Sequence, residues 1–265
     1  MTTSAQALRS LPAAAVAGFA IGLLGGLIGL GGAEFRLPLL ISLFGFAALH
    51  AVILNKAMSL VVVASALLFR SAAVPISEVA AHWPTVLNLL AGSLLGAWVG
   101  AGWATRLSGR HLHQVLAVLL VVIATVLVFG HGAITGQPLL HGAWQIAAGI
   151  GAGFAIGAVA SVMGVAGGEL LIPTLVLLFG ASIKLAGSLS LAVSLPTMLV
   201  GFARYSRDRS FSVVRDNAIF MIVMAVGSIA GAAVGGKLLG IVPDAVLLPV
   251  LAAILLVSAV KVWRH

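Results

Sequence analysis

Two glutamates stand where a carboxylate is expensive. Glu34 lies in the apolar run GLLGGLIGLGGAEFRLPLLISLFG, Gly22 to Gly45, and Glu169 lies in GAVASVMGVAGGELLIPTLVLLFG, Gly157 to Gly180. The second run follows the first by 135 residues without a gap, so Gly29, Gly32, Glu34, Pro38 and Gly45 superpose on Gly164, Gly167, Glu169, Pro173 and Gly180. The remaining acidic residues, Glu78, Asp208, Asp216 and Asp244, fall in loops or at their edges. An ionisable group in lipid is costly and marks a functional position by default. Two chemistries are open to the pair. Each glutamate either accepts hydrogen bonds from the open N-terminus of its own short helix as a structural cap, or takes up and releases a proton as the protein exposes it to each side in turn. Arg36 is placed to neutralise Glu34, whereas its equivalent is Leu171, so Glu169 lacks that partner and is the better proton carrier.

The residues around the carboxylates suit a break in the helix. Gly31, Gly32 and Ala33, and likewise Ala166, Gly167 and Gly168, release the backbone, with Gly29 and Gly164 just before them. Pro38 and Pro173 are expected in the first turn of the short helix that follows, where a missing N–H costs least. Each break then leaves a positive helix end, with unpaired N–H groups, aimed into the membrane interior, which attracts anions. Asn55 and Ser59 are four apart on one helix face and align with Ser190 and Ser194, and Thr197 extends the second face. Such faces either line a cavity or bridge helices. Lys56, equivalent to Leu191, is a further buried charge, read as a counter-ion for Glu34 or a cationic contact for an anionic substrate. The candidate substrate-binding set is therefore Gly31, Gly32, Arg36, Asn55, Lys56, Ser59, Gly167, Gly168, Ser190, Ser194 and Thr197.

These residues need a membrane-spanning frame. With 62% hydrophobic and 8% charged residues, the chain lacks the polar surface to cover a soluble globule. Its apolar runs are continuous instead of alternating with period two, which excludes a spanning barrel and predicts an all-α, polytopic protein. The runs cover 12–30, 35–45, 48–69, 83–105 and 112–130, then 145–165, 170–180, 183–203, 217–238 and 245–262. The repeat divides the chain into membrane halves 1–135 and 136–265. The second run of each half is only about half as long as a spanning helix needs. Pro196 is expected to kink the run that contains it. Glycines at every fourth position, Gly92, Gly96 and Gly100 in one half and Gly227, Gly231 and Gly235 in the other, form stripes that let helices approach closely. Basic residues change sides between equivalent loops, so the halves are expected to be inverted and both termini cytoplasmic.

Other classes are set aside on composition. The net charge of +8 sits mostly at the ends of the runs, the signature of membrane topology and not of nucleic-acid binding. Absence of cysteine excludes disulfides and thiolate sites, and the seven histidines are scattered, so neither metal nor cofactor is expected. The expected partners are a small anionic substrate and the lipid bilayer. The sequence also allows a homo-oligomer.

A glycine-rich run ending in GG, a proline a few residues on, and a short apolar helix closed by Phe-Gly, all occurring twice, resembles the TauE/SafE family of sulfite and organosulfonate exporters. The resemblance covers essentially the whole chain. It implies a secondary transporter of small sulfur-containing anions, such as sulfite, sulfoacetate or related sulfonates, across the bacterial inner membrane, coupled to protons; two half-length helices meeting at the midplane add the expectation of alternating access by rocking of the halves. The family signature falls on Gly29, Gly31, Gly32 and Pro38, and on Gly164, Gly167, Gly168 and Pro173; Ala33 and Glu34 depart from the third glycine or apolar residue of many members. An anion channel of the same architecture and a carrier of small carboxylates stay open as alternatives. A membrane-embedded lipid pyrophosphate phosphatase is disfavoured, because the chain lacks its Glu-rich, Ser-containing motif and has no serine paired with a nearby histidine in its spans.

Overall fold

The computed structural model describes residues 10–28, 32–70, 76–129, 138–238 and 244–264. Lipid offers no partner to a backbone N–H or C=O, so long apolar stretches close their hydrogen bonds within helices. The described residues accordingly form helices and no strand. The first half contains α1 (Leu11–Ile28), α2 (Ala33–Ser42), α3 (Ala48–Arg70), α4 (Ile76–Ala81), α5 (Trp83–Ala104) and α6 (Gly109–Phe129). The second contains α7 (Gly142–Met163), α8 (Gly168–Phe179), α9 (Ile183–Tyr205), a 3-10 turn (Arg209–Phe211), α10 (Ser212–Asp216), α11 (Ala218–Leu238) and α12 (Asp244–Trp263). Among the described residues, every apolar run read from the sequence contains a helix. The turns α4 and α10 were not anticipated, being too short to show a hydrophobic period.

Among the described residues, five helices are long and apolar enough to cross a membrane: α3, α5, α7, α9 and α11. Helices α1, α6 and α8 carry shorter apolar stretches. The half-length elements are α2, with 10 residues, and α8, with 12.

The halves exchange helices: α1 packs along α11, and α5 along α7. Gly92, Gly96 and Gly100 of α5 face the α7 backbone at Ile150, Phe154 and Ala158, while Gly227 and Gly231 of α11 face α1 at Ala15 and Phe19. A Cβ on Gly92 or Gly96 would run into a carbonyl oxygen of the partner helix, and backbone cannot step aside. The stripes are therefore packing seams, as their spacing predicted. The contact at Gly92 maps onto that at Gly227, and Gly96 onto Gly231, by the 135-residue offset. Within each exchanged pair the helices run the same way, since residue numbers rise together along the seam. Where α3 crosses α9 they run opposite ways: Lys56 meets Gly201, while Val63, further along α3, clusters with Met198, Leu195 and Leu191.

The short helices close the centre. In the second half, Gln145 near the start of α7 donates to the carbonyl of Leu178 near the end of α8, at 2.8 Å, so α8 doubles back along α7. Each short helix packs on the next long helix of its own half, α2 on α3 and α8 on α9, and also on the last helix of the other half.

Candidate functional site

Glycine makes both breaks. Gly32 (φ 72°) precedes α2 and Gly167 (φ 81°) precedes α8, both in the left-handed region. Gly164 (φ 69°) ends α7, and a side chain there would also strike the Val52 carbonyl of α3. Gly168 is the first residue of α8. Gly29 and Gly31 lie outside the described residues.

The prolines stand elsewhere than expected. Pro38 and Pro173 are each the sixth residue of their helix, in its interior and not in its first turn. The glycines had already turned the chain, leaving the prolines a different effect. A proline removes the N–H that would bond the carbonyl four residues earlier, and here those carbonyls belong to Glu34 and Glu169. Each glutamate thus has a backbone carbonyl released from the helix ladder beside its carboxyl group.

Glu34 and Glu169 are buried, at 2% and 6% exposure. They come from the two halves and lie close enough to interact with one another. Two ionised carboxylates have no donor to offer each other, so that contact becomes a hydrogen bond only when one holds a proton. Among the described residues, no other side chain donates to Oε1 of Glu34 or to either oxygen of Glu169. The N-caps are glycines and make no side-chain bond, so neither helix is capped in the ordinary way.

Arg36 is fully buried. Its Nη1 donates to Asn55 Oδ1 (3.4 Å) and Ser59 Oγ (3.3 Å) on α3, and its Nη2 to Ser228 Oγ (3.3 Å) on α11 of the other half. Its Nε has no hydrogen-bond partner among the described residues. The guanidinium lies within electrostatic reach of Glu34 but spends its hydrogen bonds on neutral groups.

Asn55 is the hub between the breaks. Its Nδ2 donates to the carbonyl of Ala33 (3.1 Å) at the start of α2 and to that of Met163 (3.3 Å) at the end of α7. A single side-chain nitrogen touching both breaks places them within a few ångströms of one another. Ser194, at the equivalent of Ser59, donates to the carbonyl of Ala166 at 2.8 Å and holds the second break from α9.

Lys56 does not pair with Glu34. Its Nζ donates to the carbonyls of Ala160 and Val165, both at 3.2 Å, closing the C-terminal end of α7. A cation at a helix C-terminus is favourable with the dipole, and Tyr205 adds a bond to the carbonyl of Ser161 at 2.8 Å. Ser190 also leaves the set: its hydroxyl bonds back to the Gly187 carbonyl of its own helix. Thr197 bonds to the Val193 carbonyl and meets the hydroxyl of Ser93 at 2.7 Å.

Ser93 and Ser228 were missed in the sequence. They are equivalents, each following the first glycine of a packing stripe. Reading the stripes only as seams hid a polar residue that both halves turn inward. Ser228 meets Arg36, whereas Ser93 meets Thr197, so the centre is asymmetric. One lobe holds a cation, and its counterpart holds hydroxyls.

The arrangement is a charged, buried centre between two broken helices, with a cation hydrogen-bonded to neutral side chains and a carboxyl pair. A family model for the sulfite exporter TauE/SafE matches residues 5–262. The chain belongs to that family. As a TauE/SafE protein it is a multi-pass membrane transporter of the class that exports sulfur anions. No curated protein and no solved structure matches it.

Proposed function

We propose that this TauE/SafE protein carries small sulfur oxyanions, sulfite or organosulfonates such as sulfoacetate, across the bacterial inner membrane by alternating access, with Glu34 and Glu169 coupling transport to protons. The observation that carries the reading is Arg36, a buried guanidinium shared between the halves whose hydrogen bonds, among the described residues, go to neutral side chains. Two oxygens of a sulfonate or sulfite can accept together from the planar donor fork of a guanidinium.

Charge arithmetic links anion to proton. Arg36 and Lys56 balance Glu34 and Glu169 when both carboxyls are ionised. One proton held between the carboxyls makes the centre net positive, which favours an incoming anion. Binding of either species thus favours the other, as linkage requires. The opposed course of α3 and α9, and the parallel course of each half's first helix and the other half's third long helix, support inverted halves that rock about a fixed centre. Basic residues support cytoplasmic termini: Arg204 lies beside Gly102 at the end of α5, with Arg106 and Arg110 just beyond and Arg264 next to Arg110.

The test is flux into proteoliposomes of a sulfonate, whose charge does not change near neutral pH, under an imposed pH gradient. Wild type is expected to respond to the gradient, and Glu169→Gln to bind the sulfonate but lose the response. Flux indifferent to the gradient in wild type rejects the coupling. Failure of any sulfur oxyanion to move rejects the substrate class.

A further inference from the structure

At the end of the bundle where α6 begins and α12 finishes, a cleft of about 480 Å3 opens between Arg110 and Gln114 of α6 and Trp263 and Arg264. It is remote in kind from the central site: its cations are exposed, and among the described residues no carboxylate lines it. Two arginines and a glutamine line it, with no acidic side chain among the described residues beside them. Trp263, 53% exposed, supplies the amphipathic ring that membrane proteins place at headgroup depth. Away from the cleft the same two helices turn exposed apolar side chains outward at successive turns. Val118 and Val122 follow Gln114 on α6, and Val260 and Val257 precede Arg264 on α12. A polar, cationic head thus continues into two apolar tracks, which is the outline of a phospholipid.

We propose that this cleft binds one anionic phospholipid, its phosphate held by Arg110 and Arg264 and its acyl chains lying along α6 and α12. A free phosphate would use the head of the site but not the tracks. Basic pockets between helices at a membrane surface recognise lipid headgroups in this way, and each arginine contributes measurably to the attraction.

The experiment is native mass spectrometry of the full-length protein in detergent, titrated with phosphatidylglycerol, with phosphatidylcholine and with inorganic phosphate. One phosphatidylglycerol is expected to remain bound, in preference to phosphatidylcholine, and Arg110→Ala with Arg264→Ala together should weaken it about 30-fold. Arg264→Ala alone, close to the chain end, should weaken it about fivefold and serves if the double variant does not fold. Arg209→Ala with Arg215→Ala, outside the cleft, should bind as wild type. Unchanged affinity in the Arg264 variant, or an equal loss in the outside pair, overturns the site. Displacement of the lipid by millimolar inorganic phosphate overturns the lipid as occupant.

Discussion

At the scale of the residue, two buried cations that look alike in the sequence do different things. Arg36 donates to side chains of both halves, while Lys56 donates to two backbone carbonyls at the end of α7. Truncating a buried charged partner of an anion is costly. Arg36→Gln is therefore expected to weaken binding of a sulfonate about 100-fold, measured by isothermal titration of the detergent-solubilised protein. Lys56→Met should leave that affinity within about threefold while lowering stability by about 1–3 kcal/mol, because two buried carbonyls lose their donor. A thermal-melting series separates the two outcomes, and equal loss of anion binding in both variants would return Lys56 to the substrate site. Glu169→Gln isolates the carboxyl pair: an amide keeps the shape, cannot ionise, and should make sulfonate affinity less dependent on pH than in wild type.

At the scale of the element, the broken helices are set by glycine and held by α3 and α9. Asn55 and Ser194 supply the bonds that keep α2 and α8 facing each other. The long helices around them depend on close approach. Gly96→Val should put a branched side chain against the Phe154 backbone and destabilise the fold by about 1–3 kcal/mol or more, read as a lower melting temperature and reduced yield. The same change at Gly109, which has open space around it, should be tolerated far better. Had Gly96→Val melted like wild type, the α5–α7 seam would not be the tight contact described.

At the scale of the whole molecule, transport by rocking requires the halves to move against each other. Ser93 on α5 and Thr197 on α9 meet at 2.7 Å and belong to different halves. Paired cysteines there, in a chain with no other cysteine, stand within reach of a disulfide. Oxidation of Ser93→Cys with Thr197→Cys is expected to stop flux and reduction to restore it. Unaltered flux in the fully oxidised protein would show that this contact does not open during transport.

Much of this was legible in the chain. Helix positions follow from apolar runs, because lipid forces every backbone group into a helix and leaves length and composition to decide where. Gly32, Gly164 and Gly167 announced the breaks, since a left-handed turn inside an apolar run needs a residue without a side chain. Burial of Glu34, Glu169, Arg36 and Lys56 was equally plain, each lying in an apolar stretch. Their partners were not. Ser228 reaches Arg36 from 192 residues away, and Lys56 finds carbonyls more than 100 residues distant. Sequence spacing sets which face a residue occupies on its own helix, but not which helix of the other half comes to lie against it. That depended on where the glycine seams let backbones touch, and only the folded bundle decided it.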